Sequence, residues 1–369
     1  MLKQYRIRDY DFKLVILVIS LTVIGIFAVG SAKESMQKTQ IAGFILGLFL
    51  MVVISLFDYS VLLKLYWLCY VGNIILLLLV PLMGESINGA QRWVELFGIQ
   101  FQPSETAKIL LILFYAQFIM KHKEKLNTFK NIGLCCLFIL PPLILIYKQP
   151  NLSMTIVLAV VFCVIMFVGG AHWKLIIGVL AVTVPAFIIV LSIILQPDQD
   201  LIKGYQQTRI LAWLYPEEYA TTEAYQQLNS IMAIGSGQLQ GKGYKTNVIS
   251  SVKNGNFISE PQTDFIFAVI GEEFGFIGTC AVIVLVILIT LECIIVARKS
   301  KDLAGSIIAA GMAGLIGFQG FLNIGVTTGL LPNTGVTLPF VSYGLTSLVS
   351  LYIGIGFVLN VGLQCKNKY

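Results

Sequence analysis

Long apolar runs alternate with short polar segments along almost the whole chain. A helix needs roughly 17 to 25 apolar residues to cross the hydrocarbon core of a bilayer. Runs near that length lie at about 14–32, 41–57, 61–83, 105–120, 131–147, 152–170, 173–195, 265–297, 304–330 and 344–364. The pattern predicts an all-α polytopic membrane protein with about ten transmembrane helices.

One polar segment is much longer than the others. It runs from about 196 to 263, between the seventh and eighth predicted helices, and contains Trp213, several tyrosines and a cluster of glycines. Segments of this length are usually functional or disordered. The apolar bulk of "RILAWLYPEEY" favours an ordered extracellular loop, docked over the membrane mouth with Trp213 and the tyrosines at the interface. We expect the whole chain, 1–369, to form a single transmembrane domain with this loop.

The basic residues predict the direction of the helices. With the N-terminus in the cytoplasm, 15 of the 25 Lys and Arg fall in inner segments and five in short outer segments. The remaining five lie in the long loop, where the positive-inside rule does not count them. Both termini are therefore predicted inside and the distinctive polar residues outside. The net charge of +6 is explained by topology and gives no support to nucleic-acid binding.

Composition excludes several kinds of site. The chain has only two histidines, His122 and His172, too few for a His-ligated metal centre or a Ser/His/Asp triad. None of its seven cysteines forms a C-x-x-C pair, and most lie in apolar runs as small hydrophobic residues. "GSGQLQGKGY" is superficially similar to a phosphate loop, but Gln240 occupies the last glycine position and no Ser or Thr follows Lys242. Its glycines are expected to allow tight turns over the membrane mouth.

"QPSETAK" predicts the start of a helix. Ser104 is expected to cap it, Glu105 suits the positive helix end, and Lys108 is within pairing distance of Glu105. One interpretation is a capped helix with a salt bridge. The other is a functional role for Lys108, because it would lie a turn inside the membrane, where ionisable residues usually serve function.

"EPQTDFIFAVIGEEFGFIG" (260–278) places four carboxylates at the front of an apolar run. Asp264 begins the predicted helix, so one interpretation is a helix cap. Glu272 would lie about 12 Å deeper on a continuous helix. We expect Glu272 and Glu273 to serve packing or an internal polar contact, and Glu260 to shape the approach to Asp264.

A single carboxylate is enough for one class of reaction. When the leaving group is a lipid pyrophosphate, the enzyme needs a base for the attacking hydroxyl and cations for the departing phosphates. The predicted outer side carries such cations at Arg92, Lys108, Lys203, Arg209, Lys242 and Lys245. The pattern favours glycosyl transfer from a lipid-linked sugar, with Asp264 as the base.

Five motifs, "NGAQRW", "FQPSETAK", "AIGSGQLQGKG", "EPQTDFIFAVIGEEFGFIG" and "GLLPNTGVTLPFVSYG", resemble those of the SEDS family of bacterial cell-wall polymerases (RodA, FtsW, SpoVE), in the same order. The resemblance implies polymerisation of lipid II into glycan strands outside the cytoplasmic membrane, beside a class B penicillin-binding protein that acts as transpeptidase. It makes Asp264 the catalytic residue. It maps the Glu and Lys of the P-S-E-x-x-K motif onto Glu105 and Lys108. The full set of residues that we expect to bind the substrate is Arg92, Trp93, Gln102, Glu105, Lys108, Gln149, Arg209 and Ser342.

The chain departs from the family pattern in places. Asn151 and Ser153 stand where the family commonly has Asp and Gly, which argues against a catalytic duty there. "SYGLTS" carries Leu345 and Thr346 in place of the family's Gly and Ser, and Thr337 replaces a frequent Pro. The compact termini favour the elongation type, which builds rod shape, over the division or sporulation type.

Two other functions remain open from the sequence. A lipid II flippase would also use membrane carboxylates and broken helices, and a non-catalytic scaffold would serve only the transpeptidase. A divalent cation, Mg²⁺ or Mn²⁺, could bridge Asp264 and the pyrophosphate, although the sequence shows no dedicated ligand cluster. No other cofactor is expected.

Overall fold

The computed structural model describes residues 9–87, 90–96, 99–174, 204–245 and 257–365, with a few isolated positions between 177 and 192. The helices, in chain order, are α1 (Phe12–Ala32), α2 (Glu34–Leu56), α3 (Tyr59–Leu63), α4 (Tyr66–Met83), α5 (Pro103–His122), α6 (Phe129–Lys148), α7 (Leu152–Val168), α8 (Gly204–Leu214), α9 (Tyr225–Ser236), α10 (Ile266–Lys299), α11 (Leu303–Thr327) and α12 (Leu345–Leu363). A short 3₁₀ helix, Lys123–Lys125, follows α5.

The helices confirm a multi-pass membrane protein. Among the described residues, seven helices are long and apolar enough to cross a bilayer: α1, α2, α4, α6, α10, α11 and α12. The apolar helix α7 has 17 residues, and α5 is buried along most of its length. Nine of the ten predicted spans thus coincide with helices of the structure. The remaining one, predicted at 173–195, lies almost entirely outside the described residues.

Helix α11 packs closely against three other helices through a row of glycines. A Cβ added at Gly311, Gly314 or Gly317 would lie 3.0 to 3.2 Å from side chains of α5, α7 and α10 respectively. Likewise, a Cβ at Gly47 on α2 would lie 2.7 Å from the Tyr352 ring on α12. These small residues therefore let the helices approach one another closely.

A small antiparallel sheet connects α4 to α5. Its strands are β1 (Glu85–Ile87), β2 (Ala90–Leu96) and β3 (Ile99–Phe101), in the order β1-β2-β3. Val94 of β2 pairs with Phe101 of β3. These strands were not predicted from the sequence, although Asn88-Gly89 is a recognised hairpin signal. The sheet carries Arg92 and Trp93 to the end of the bundle where α5 begins.

Helix α10 is interrupted at Gly275, whose backbone has φ 64° and ψ −159°. The break removes two helical hydrogen bonds, leaving two carbonyls and two N–H groups without their usual partners. The segment 237–245 after α9, which we call the glycine loop, supplies new hydrogen-bond partners for these four groups. The bonds run from Phe276 to Gln238 (2.8 Å), from Ile277 to Leu239 (3.2 Å), from Lys242 to Glu272 (2.9 Å) and from Gly243 to Glu273 (3.1 Å).

This pairing needs close approach of two backbones. A Cβ at Gly237 would lie 1.9 Å from the carbonyl oxygen of Gly271, and one at Gly241 only 2.1 Å from that of Glu273. Gly241 also has a positive φ of 82°. The expectation of tight turns is confirmed, and the glycines additionally let the loop reach the break.

The described parts of the long loop, 204–245 and 257–263, dock on the bundle as predicted. Gln227 and Ser230 on α9 donate hydrogen bonds of 2.7 to 2.8 Å to three backbone carbonyls at the end of α11 and just beyond it. The Trp213 indole donates to the carbonyl of Gly329 (3.0 Å). Carbonyls at a helix C-terminus lack intrahelical partners, so the loop stabilises this end of α11.

Candidate active site

The predicted site residues lie at one end of the bundle, where α1 and α11 end and α5 and α10 begin; we call it the site end. Here the residues between α11 and α12, 328–344, form an irregular segment that we call the return segment. Its Val336, Leu338 and Val341 are buried. The segment folds back into the bundle, because a Cβ at Gly25 on α1 would lie 2.7 Å from the backbone of Val341.

Asp264 lies against the return segment, just before α10. A Cβ at Gly335 would lie 3.2 Å from Asp264 Oδ2. The N-cap position of α10 is Phe265, and no side chain caps the helix. Within the described part of the chain, no hydrogen bond or ion pair reaches the Asp264 carboxylate, although its residue is only partly exposed. The helix-cap interpretation is therefore wrong.

The surroundings make this carboxylate more basic than usual. Burial raises the pKa of Asp264 to about 6, although the Arg92 and Arg209 guanidinium groups oppose that shift, while Glu260 adds to it. Removing a carboxylate from water disfavours its charged form. A carboxylate with a pKa near 6 remains ionised at neutral pH and accepts a proton more readily than an exposed aspartate.

Two of the predicted cations face Asp264 from different elements. Arg92 on β2 donates to the backbone carbonyl of Gln149 (3.3 Å) and to that of Pro150. Arg209 on α8 donates to the carbonyl of Asn333 in the return segment (3.5 Å). The structure thus brings the sheet, the long loop and the start of α10 together around one carboxylate.

Lys108 is more deeply enclosed than expected. Its ammonium contacts Glu105 Oε2 (2.9 Å), Gln319 Oε1 (2.9 Å) and the sulfur of Met154 (3.7 Å), and both members of the Lys108–Glu105 pair are 1% exposed. The predicted salt bridge is confirmed. Since an ammonium has three N–H donors, Lys108 has an acceptor for each. It therefore acts on the site through the groups it holds.

The predicted cap of α5 is wrong. The N-cap position belongs to Gln102 and Pro103 occupies the first turn, a position that suits the fixed φ of proline. Ser104 is inside the helix, and its hydroxyl has no partner among the described residues. The Gln102 backbone N–H donates to the hydroxyl of Thr346 (3.4 Å), which links α5 to α12.

The other predicted binding residues lie near the site end in more structural surroundings. Gln149 is buried and donates to the carbonyl of Leu77 (3.1 Å). Ser342 donates to the carbonyl of Thr263 (2.7 Å), next to Asp264. Trp93 follows Arg92 on β2, so its side chain points to the opposite face of the sheet.

Glu272 and Glu273 are buried in the helical turns of α10 that come just before the break at Gly275. The break at Gly275 changes the path of α10. Glu273 accepts a hydrogen bond from Ser31 at the site end of α1, whereas Glu292 of α10 pairs with Lys13 at the start of α1 (2.7 Å). The expected internal polar contacts are present.

Two cations proposed for the departing phosphates are engaged elsewhere. Lys242 pairs with Glu272 (2.8 Å) and Lys245 pairs with Glu34 (2.9 Å). They fix the glycine loop to α10 and α2. Lys203 lies outside the described residues.

The departures at 151 and 153 have structural roles. The Asn151 side chain accepts from the N–H of Met154 (3.3 Å) and so caps α7. Ser153 donates to the carbonyl of Thr334. This second contact joins α7 to the return segment close to Gly335.

Two residues of the site were missed by the sequence analysis. Gln319 and Asn323 are buried amides one turn apart on α11. Asn323 Nδ2 donates to the carbonyl of Asp264 (2.8 Å) and to that of Val336 (2.6 Å). Polar side chains at this spacing inside an apolar span were the available signal.

The fold and the site together define an integral membrane protein with a polar site around one carboxylate at one end of a helix bundle. The family model described as "Cell cycle protein", for FtsW, RodA and SpoVE, matches residues 10–367. The chain therefore belongs to the FtsW/RodA/SpoVE family.

Its relatives include peptidoglycan glycosyltransferase MrdB of Escherichia coli K12, 34% identical over 96% of this chain and 94% of the relative. The probable peptidoglycan glycosyltransferase FtsW of Geobacter metallireducens is 32% identical, over 98% and 96%. Among solved structures, a chain of a peptidoglycan synthase complex superposes with a TM-score of 0.80 at 29% identity, covering 97% of this chain and 99% of that one. The rod shape determining protein RodA of Thermus thermophilus gives 0.71 at 28% identity, over 97% and 98%.

Proposed function

We propose that this protein is a peptidoglycan glycosyltransferase that polymerises lipid II into glycan strands. The activity in the names of its relatives supports this proposal. The observation that carries it is the Asp264 carboxylate, which has no hydrogen-bond partner among the described residues, has a pKa raised to about 6 and faces Arg92 and Arg209. This is the arrangement required by a base beside a developing pyrophosphate charge.

Asp264 accepts the proton of the attacking sugar hydroxyl. The hydroxyl oxygen then forms a bond to the anomeric carbon of the second lipid-linked sugar, while the bond from that carbon to the pyrophosphate oxygen breaks. Undecaprenyl pyrophosphate leaves with the bonding electron pair, so it needs no general acid. Arg92 and Arg209 stabilise the negative charge on its phosphates.

Lys108 supports this site indirectly. Its contacts with Glu105 on α5 and Gln319 on α11 join the two helices beneath the return segment. Trp93, Gln102, Gln149 and Ser342 are assigned to the walls of the substrate site on the strength of the family motifs.

The site end faces the outside of the cytoplasmic membrane, and both termini lie in the cytoplasm. This orientation follows from the excess of Lys and Arg in the opposite loops. It places the reaction where glycan strands are built. The partner is a class B penicillin-binding protein, since one solved relative belongs to a synthase complex in which polymerization and crosslinking are coordinated. The role is cell-wall elongation and rod shape.

The described residues include no group of three or more His, Cys, Asp or Glu side chains that could hold an ion. Asp264 would be the residue to hold a Mg²⁺ or Mn²⁺ ion, which would help to neutralise the charge of the substrate phosphates.

The test is polymerisation of labelled lipid II by the purified protein, alone and with its transpeptidase partner. Asp264→Asn keeps the size of the side chain and removes its basicity, so the rate should fall by about 10² to 10⁴. The matched control is Asp302→Asn, which changes a carboxylate at the N-cap of α11, at the opposite end of the bundle. Near-normal glycan synthesis by Asp264→Asn would refute the mechanism. A protein that only moved lipid II across the membrane would give no polymer at all.

A further inference from the structure

Two buried amides on α11 hold the groups around the proposed base. Gln319 is 0% exposed and Asn323 is 1% exposed, and they lie one helical turn apart in a span that is otherwise largely apolar. A buried amide without partners costs free energy, so the contacts of these two side chains indicate what they stabilise. Asn323 contacts the base and Gln319 contacts the buried lysine.

Asn323 joins both sides of the Asp264 pocket. One N–H of its amide donates to the carbonyl of Asp264 itself and the other to the carbonyl of Val336, at 2.8 and 2.6 Å. Val336 follows Gly335, the residue that lies against the Asp264 carboxylate. The Asn323 amide therefore fixes the backbone that carries the base and the backbone that shields it from water.

Gln319 makes a different set of contacts. Its oxygen accepts from Lys108 (2.9 Å), while its nitrogen donates to the carbonyl (3.0 Å) and the hydroxyl (3.1 Å) of Thr337. Gln319 thus links α5 to the return segment at Thr337, which is the residue after Val336, the contact of Asn323. None of these contacts reaches Asp264 directly.

We propose that Asn323 is a positioning residue that keeps Asp264 packed against the return segment and thereby basic, and that Gln319 independently positions the return segment relative to α5. The proposal rests on the proposed function, since it assigns roles around the same base. The charged groups that face Asp264 are Arg92 from β2, Arg209 from α8 and Glu260 from its own segment. The variants below leave these three charged residues unchanged, so the variants test the packing of the carboxylate.

The test measures kcat and KM for lipid II between pH 4.5 and 8. Asn323→Leu keeps a side chain of similar size but removes both N–H donors of the amide. Water should then enter beside Asp264, and the pKa of Asp264 should fall toward the ordinary value near 4. The acid limb of the pH profile, which is the range over which kcat/KM falls as the pH decreases, should therefore move to lower pH. The rate at pH 7.5 should drop by about 100-fold, as for a misplacement of about 1 Å.

Two further variants separate the roles. Gln319→Leu should lower the rate without moving the acid limb, because Gln319 does not contact Asp264. Thr327→Val is the matched control: Thr327 is buried one turn further along α11, and its hydroxyl bonds only to carbonyls of its own helix. It should leave both the rate and the limb unchanged.

An Asn323→Leu protein with the wild-type acid limb would overturn the inference, even if its rate were reduced, because a purely structural loss does not change the basicity of Asp264. Failure of the proposed function has a different signature, namely an active Asp264→Asn protein.

Discussion

Replacing Asp264 by Asn is expected to make the protein more stable at neutral pH while it removes activity. Burial raises the pKa of Asp264 from its ordinary value of 3.8 to about 6, so the folded protein holds this proton more tightly than the unfolded chain does. At 1.36 kcal/mol per pH unit, the interval from 3.8 to about 6 corresponds to about 3 kcal/mol. That is the cost of an ionised Asp264 in the folded protein.

The pH dependence follows from the direction of the shift. The contribution of Asp264 to stability is greatest below pH 3.8, decreases as the pH rises to about 6, and is constant above that value. An asparagine carries no charge at any of these pH values. The stability difference between Asp264→Asn and the wild type should therefore be about 3 kcal/mol at pH 8 and small near pH 4.

The assay is unfolding of both proteins in the same detergent at pH 8, 6 and 4.5, with Asp302→Asn as the control for an aspartate outside the site. The Asp264→Asn protein should unfold at higher temperature than the wild type at pH 8, and this advantage should shrink as the pH falls. If the variant is the less stable protein at pH 8, or if its advantage is the same at every pH, Asp264 is not a desolvated carboxylate and the argument for its basicity fails.

Two further predictions concern the buried ion pair and the glycine loop. Lys108→Met should destabilise the protein by about 3 to 5 kcal/mol, because it would leave the buried Glu105 carboxyl without its partner. Adding Glu105→Gln should restore much of that stability, and lipid II polymerisation by the double variant then shows whether Lys108 is needed for more than folding. Gly241→Ala should destabilise far more than Gly243→Ala in thermal unfolding, since both glycines have a positive φ but only a Cβ at Gly241 would meet another backbone, 2.1 Å from the Glu273 carbonyl oxygen. Equal losses would show that the glycine loop does not pack into the break of α10.

The membrane spans were predictable because they are encoded locally. A helix that crosses a bilayer must satisfy its own backbone and present apolar side chains, so its length and composition are sufficient signals. The salt bridge between Glu105 and Lys108 was also a local inference, since residues three apart on a helix are neighbours. The docked loop was predictable from the apolar bulk around Trp213.

The course of α10 was not predictable in the same way. "GEEFGFIG" continues an apolar run, and a single glycine in such a run does not by itself end a helix. The break at Gly275 is stable because a segment more than 30 positions earlier supplies its four lost hydrogen-bond partners. No local pattern contains that information.

The carboxylates of the site end differ in their hydrogen-bond partners, and this difference supports Asp264 as the proposed base. Glu105 and Glu272 are each paired with a lysine, and Glu273 accepts from Ser31. In those places a nearby donor offsets the loss of water around a buried charge. Asp264 has no such donor in the described part of the chain, although the backbone on both sides of it is fixed by Asn323 and Ser342. A carboxylate held firmly in place and left without a partner is suited to accept a proton from a substrate, because a close donor would lower its basicity.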